Sequence, residues 1–380
     1  MTIKSKGVYV VSEPGCMNPS SGAWRHISMG IAELSKHFEI ETILPDVVEA
    51  DGILESPKKG GPRRGPDSNR LRGSLRDVKV FLQRSCSAFK LLKEIKKRAP
   101  DFVYYRASYL HPLPLLLKLY GIPCFVEANG LQFEGQKMYY ASYAVKVARC
   151  FEKWLYRSAN HVFFVGSYGA YWKLSTDNWT NVENGVEQSF LDRFPAEKVA
   201  ANEPVHICFV GHLMKHHQPE VFVEAIKKLA KEAEIKIHLI GSQLDALAED
   251  LGEGVVTELH GFLTRDGLVS ALEQMDIGVI PGAPEYASQM KLSDYGAARL
   301  AVVAPDVYHL KHWYPEELVF FRSGDGDSLY RALADLIRAP DTCAQRGNSL
   351  HQRLKKEMTW DVIFGQKAEV IQKALQTKKR

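Results

Sequence analysis

The sequence contains no run of about 18 apolar residues, the length a membrane-spanning helix needs. Near its start, Lys4 and Lys6 are followed by the short apolar stretch Val8–Val11, which falls well below the core of a secretory signal. No cysteine pairs with another as CxxC among the six present, so neither a zinc site nor a disulfide framework is expected. Cys124 and Cys208 lie inside strand-like apolar runs, where a thiol acts as a small buried hydrophobe. These absences together predict a cytoplasmic chain, in which the glycosylation triplet Asn178-Trp-Thr180 carries no meaning. The net charge is only +4, too little to point to a nucleic-acid partner. GxGxxG, the Walker phosphate loop and internal repeats are also missing.

The 380 residues are 45% apolar and 25% charged, the balance of a globular protein large enough for two domains. Short β-branched and aromatic runs alternate with helical periodicity. Strands are expected at 7–11, 39–44, 101–105, 122–127 and 161–165, with helices near 22–37, 85–98, 108–120, 133–158 and 167–174. After Pro204 the alternation restarts, with strands at 205–210, 235–240, 255–259, 276–280, 300–304 and 318–321. Its helices are expected near 218–233, 242–250, 264–274, 288–298 and 326–338, and a strandless helical tail covers 341–377. Such alternation predicts parallel sheets with right-handed crossovers. The expected class is α/β, with a Rossmann-like domain over 1–195, a second over 196–355, a cleft between them, and a last helix at 356–380 that crosses back onto the first. Residues 51–77, rich in Gly, Pro and Arg, are expected to form a loop. Between 58 and 98 stand fourteen Lys or Arg against three Asp or Glu, either a solvated basic face or a patch for an anionic membrane or lipid diphosphate.

In open parallel sheets ligands bind beyond the carboxyl ends of the strands, and four segments fall there. The loop Ser12–Trp24 contains Gly22 at the start of a helix, where free N–H groups suit an anion. Arg106, Glu127 and Asn129 end two apolar strands; Arg106 and Glu127 are expected to pair, and the three to orient substrate. Phe209–Gln218 carries His212, Lys215, His216 and His217, a set suited to phosphate; two adjacent histidines without an acidic or cysteine partner are weak metal ligands. In Pro284–Ala298, Ser288 is a candidate helix cap, while Lys291 and Asp294 lie three apart on one helical face. A carboxylate there accepts a ribose diol and the lysine faces phosphate; the plainer alternative is an exposed ion pair between the two. Asp325-Gly-Asp327 directly precedes a helix and is expected to be its turn and N-cap.

These segments, in this order, resemble the family 4 (group 1) glycosyltransferases of the GT-B fold, in their bacterial polysaccharide subgroup. The similarity is carried by Asp101–Arg106, Ile122–Gly130, Phe151–Leu155, Val182-Glu-Asn-Gly-Val186, Val210–His217, His260-Gly261, Ser288–Ala304 and Thr359-Trp360. It implies a retaining, metal-independent transfer of sugar from a UDP- or GDP-linked donor to a glycan or lipid-linked acceptor, with no cofactor. By the same resemblance Gly22, Gly211, His212, Lys215, His217, Gly241, Ser288, Lys291, Leu292 and Asp294 hold the nucleotide sugar. Glu127, Asn129 and Arg106 orient the reacting molecules. The chain departs from the family pattern at His212, His217 and Gln218, at Tyr286 in place of the first of two glutamates, and at Arg299 in place of a glycine. Those departures keep open a catalytically silent partner subunit; an epimerase or phosphorylase on the same fold is the third alternative.

Overall fold

The computed structural model describes residues 4–18, 21–45, 69–137, 141–174, 177–199, 203–211 and 214–379. Expectations that fall on 46–68, and on His212, lie outside the described residues. The chain divides into two compact units, Met1–Glu183 with Asp361–Arg380, and Asn184–Trp360.

The first unit is built on β1 (Lys6–Val10), β2 (Glu39–Ile43), β3 (Phe102–Arg106), β4 (Cys124–Ala128), β5 (His161–Val165) and β6 (Trp179–Val182), in the order β2-β1-β3-β4-β5-β6. All five pairings are parallel. Apart from Lys6 and His161 at their first positions, β1, β3, β4 and β5 are buried along their length. That burial requires helices on both faces. Helix Gly22–His37 is started by Ser21, whose hydroxyl accepts from Trp24 N. The last helix, Trp360–Lys379, belongs to this unit over Asp361–Arg380 and lays Phe364 against Gly30.

The second unit carries β7 (Val205–Val210), β8 (Ile235–Ile240), β9 (Thr257–Gly261), β10 (Ile277–Val279), β11 (Ala301–Pro305) and β12 (Val319–Phe321), in the order β12-β11-β10-β7-β8-β9, again all parallel. The chain therefore runs outward from β7 to one edge, then crosses to β10 and runs to the other. The order reverses between β7 and β10, and in open parallel sheets ligands bind beyond the carboxyl ends of the strands at such a reversal. Tyr295, fully buried, sits where the two strands part: its hydroxyl accepts from Val210 N at 2.8 Å and donates to Val279 O at 3.2 Å. One phenol thus satisfies two backbone groups that the ladder leaves unpaired.

Several expectations need correction. The helix expected at 85–98 runs from Arg70 to Arg98, so 70–77 are helical and not loop; Asn69 caps it by accepting from Arg72 N at 3.0 Å, and the buried Gly73 is accommodated within it. The single helix expected at 133–158 is two, Gln132–Lys137 and Val145–Ser158. Between them Ser142 accepts from Ala144 N and donates to Asp77, while Tyr143 N donates to Ser74; such side-chain bonds compete with a helical ladder. The edge strand β6 and helix Tyr308–Trp313 were not foreseen. Asp325 is the N-cap expected of it, accepting from Ser328 N at 2.9 Å.

Candidate functional site

In the second unit the strand ends at the reversal are crowded by backbone. Gly211 follows β7 with φ +126 and Gly241 follows β8 with φ +142. A Cβ on Gly241 would lie 2.0 Å from Gly211 O, so only glycine permits this approach. Lys291, in the first turn of helix Met290–Ala297, reaches the same place. Its Nζ stands 4.4 Å from the centre of the Phe209 ring, and a Cβ on Gly211 would lie 3.7 Å from it. The ammonium is buried and has no hydrogen-bond partner among the described residues. Burial alone pushes its pKa down to about 7. The ring face offers a weak cation site, so this is a positive charge held without a counter-ion beside two close-packed loop backbones.

The other residues named from the sequence are distributed around it. His217, in the short 3-10 turn Lys215–His217, is buried against Phe209; its Nδ1 accepts from Met214 N at 3.3 Å. The side chain of Lys215 lies outside the described residues. Asp294 and Lys291 do not form the exposed pair that was the plainer alternative: both are buried, and Asp294 accepts from Arg265 Nη1 at 2.9 Å. Arg265 also donates to Glu187 at 3.1 Å and lies 3.3 Å over the Phe190 ring. Ser288 is not the helix cap; Gln289 takes that position without a side-chain bond, and the Ser288 hydroxyl accepts from Asn184 Nδ2 at 2.7 Å. Leu292 packs in the core with Tyr295. Sequence reasoning missed Arg265 and Asn184. Asn184 lies in Val182–Val186, which carried the resemblance but no site role, whereas Arg265 carried no local signal.

In the first unit Glu127 is fully buried, and five groups donate to its carboxylate. Tyr104 OH at 2.6 Å, Lys367 Nζ at 2.8 Å and His26 Nε2 at 2.9 Å meet Oε2, while Arg106 Nη1 at 2.9 Å and Asn129 Nδ2 at 3.1 Å meet Oε1. Burial works against its ionisation, but His26, Lys367 and Arg106 hold the carboxyl well below its usual range. The expected Arg106–Glu127 pair is present; His26, Tyr104 and Lys367 were missed. Lys367 had a sequence signal, because it interrupts the apolar stripe Phe364, Ala368, Ile371 of its helix. Gly22 opens helix Gly22–His37, the same helix that brings His26 to Glu127. At the reversal of this sheet, between β1 and β3, the hydroxyls of Ser12, Tyr105 and Ser108 form a chain, and Arg84 donates to Ser12 O and to Glu13. Neither His216 nor His217 belongs to a group of three or more His, Cys, Asp or Glu with metal-ligand spacing among the described residues.

The uncompensated ammonium has a measurable cost. Lys291 is charged in the unfolded chain up to about pH 10.5 and in the folded chain up to about pH 7. Below pH 7 both states are protonated and the burial penalty stands in full; it fades as pH rises from 7 to 10.5, where the unfolded chain binds the extra proton. Lys291→Met is therefore expected to raise stability by several kcal/mol near pH 7, with the gain shrinking towards pH 10. Urea unfolding of the two chains at both pH values checks this; an equal difference at both would show that Lys291 is solvated.

Residues 192–353 match the profile of the family described as glycosyl transferases group 1. No curated protein matches the sequence significantly. Among solved structures, sucrose-phosphate synthase from Thermosynechococcus elongatus aligns with a TM-score of 0.72 at 14% identity, covering 98% of this chain and 100% of that one. A glycosyltransferase from Rickettsia africae ESF-5 follows at 0.69 and 14%, covering 98% and 99%. Anabaena HepE in complex with UDP-glucose aligns at 0.64 and 11%, covering 97% and 100%. At these identities the likeness is one of fold. Residues 192–353 thus carry the sequence pattern of a group 1 glycosyltransferase domain, and the two six-stranded parallel sheets are those of the GT-B fold.

Proposed function

We propose that this protein transfers a sugar from a nucleoside diphosphate sugar to a glycan or lipid-linked acceptor of cell-surface polysaccharide, with retention of configuration and no metal ion in the transfer step. The observation that carries this reading is the buried ammonium of Lys291 at the strand-order reversal of the second unit. A nucleoside diphosphate leaving group gains negative charge as the glycosidic bond breaks, and a pre-placed cation in a dry site stabilises that charge more than it stabilises the bound donor. Lys291 takes this role, with His212, Lys215 and His217 on the neighbouring loop. Gly211 and Gly241 let the backbone approach the phosphates. Asp294, oriented by Arg265, accepts the ribose hydroxyls, with Ser288 and Leu292 completing the donor side. In the retaining chemistry that the family resemblance implies, the departing phosphate takes the acceptor's proton. Arg106 and Asn129, fixed by Glu127, orient the reacting molecules. The Anabaena HepE structures hold UDP, UDP with glucose, and UDP-glucose; by that likeness a uridine nucleotide is the first donor to try here.

The test is calorimetric titration with UDP, GDP and ADP in the presence of EDTA. One nucleotide is expected to bind saturably, with affinity at least about tenfold weaker in Lys291→Ala and in Asp294→Ala. Glu127→Gln is expected to lower transfer more than nucleotide affinity. Absence of binding by all three would favour the silent partner subunit, and unchanged turnover in both second-unit variants would remove this site.

The acceptor side carries a second reading, peripheral contact with the inner face of an anionic membrane. Helix Arg70–Arg98 exposes Leu71, Leu75, Val78, Leu82 and Phe89 at helical spacing, and the described part of the basic stretch 58–98 is this helix, with ten Lys or Arg against two Asp or Glu. Phe81 packs edge-on against Phe151 of helix Val145–Ser158, which adds exposed Val147 and Trp154. Apolar residues flanked by cations suit the interface of an anionic bilayer; among the described residues no helix is long and apolar enough to cross one. Co-sedimentation with phosphatidylglycerol vesicles, weakened by salt and by Leu75→Asp with Leu82→Asp, is the expected result. Equal recovery with neutral phosphatidylcholine vesicles would contradict it.

A further inference from the structure

β7, β8 and β9 each carry one histidine, and the three rings meet on one side of the second sheet. His206, His238 and His260 stack in a row with centroids 5.0 and 5.2 Å apart. Nδ1 of His206 lies 2.9 Å from Nε2 of His238, and Nδ1 of His238 lies 2.9 Å from Nε2 of His260. Glu258, the register partner of His238, brings its carboxylate to the same point, with oxygens 3.8 Å from His238 Nδ1 and 3.7 Å from His260 Nε2. The register slips between Leu239 and Ile240: Leu259 pairs with Leu239 and Gly261 with Ile240. His260 is thus the inserted residue of a bulge, a device that re-aims a side chain.

We propose that His238 Nδ1, His260 Nε2 and Glu258 bind one divalent first-row transition ion, with His206 as the outer acceptor that fixes the His238 ring. Bonds of about 2.0–2.2 Å in tetrahedral array place ligand atoms about 3.4 Å apart, and the three observed separations bracket that value. A ligating imidazole donates its other N–H to a nearby acceptor; here His238 Nε2–H donates to His206 Nδ1, which leaves the His238 Nδ1 lone pair facing His260 and Glu258. Two imidazoles and one carboxylate select zinc, cobalt, nickel or copper over magnesium or calcium. Binding displaces the proton that His260 Nε2 donates to His238 Nδ1, and the neutral His260 ring carries its N–H on Nδ1 instead, so both rings ligate as neutral imidazoles. It also displaces Lys236, whose Nζ pairs with Glu258 at 2.7 Å on an exposed rim where such a pair contributes little. His238 is buried, whereas His260 and Glu258 reach solvent, so water completes the fourth position. The ion fastens the edge strand β9 directly before Gly261, whose carbonyl accepts from Gly241 N at 2.8 Å beside the Lys291 site. This inference is independent of the proposed sugar transfer.

The test uses the full, untagged chain stripped with EDTA. Titration with Co²⁺ is expected to give the intense visible absorption of a four-coordinate ion, saturating at one equivalent and abolished by one equivalent of Zn²⁺. His260→Ala and Glu258→Gln, both at partly exposed positions, are expected to remain folded by their cooperative thermal transitions. His260→Ala should lose the absorption and Glu258→Gln weaken it at least about tenfold, while Zn²⁺ raises the melting temperature of the parent chain and not of His260→Ala. A parent chain without the absorption at stoichiometric Co²⁺, or a His260→Ala chain that keeps it, would overturn the proposal.

Discussion

A single buried ammonium sets the terms for the second unit. Lys291 occupies the point where the strand order reverses, over the ring of Phe209 and next to the close-packed Gly211 and Gly241. Among the described residues nothing hydrogen-bonds to its Nζ, and burial lowers its pKa to about 7. Such a residue destabilises the free protein, by an amount that fades as pH rises above 7. The surrounding geometry follows from the same requirement: glycine after each strand lets the backbone close in, and Tyr295 seals the parting strands with one hydroxyl. Asp294, one turn on in the same helix, accepts from Arg265 at 2.9 Å.

The first unit solves the opposite problem. Glu127 is an anion with nothing left uncompensated, since three cationic or ionisable groups, a phenol and an amide converge on it from four segments of chain. A buried carboxylate survives only with such a full set of donors. Its consequence is architectural as well as chemical: Lys367 ties the returning last helix to β4, and His26 ties the first helix to the same atom pair. Glu127 thereby fixes Arg106 and Asn129 at the strand ends. One unit thus holds an uncompensated charge among its described residues and the other an over-determined one.

Much of this was legible in the sequence because it is local. Eleven of the twelve strands among the described residues were expected from the sequence; β6, with Asn and Thr in four residues, was not. The spacing of Lys291 and Asp294 marked the helix on which the proposed donor site is built, and Arg106 with Glu127 marked the strand ends of the first sheet. What escaped was long-range. Arg265 meets Asp294 from another helix, Lys367 meets Glu127 from 240 residues away, and His238 meets His260 only through a bulge in β9. Composition misled at 69–77, where arginines and a glycine read as loop but a capped helix begins.

The central claim is that Lys291 waits, desolvated and unpaired, for a phosphate. Nuclear magnetic resonance of the lysine Nζ signals in an isotope-labelled chain, assigned by the signal lost in Lys291→Met, measures its titration directly. The account predicts a pKa near 7 in the free protein, rising by about two units or more once a saturating nucleoside diphosphate supplies the missing counter-charge. A value near 10 in the free protein, or one that the nucleotide leaves unchanged, would contradict it.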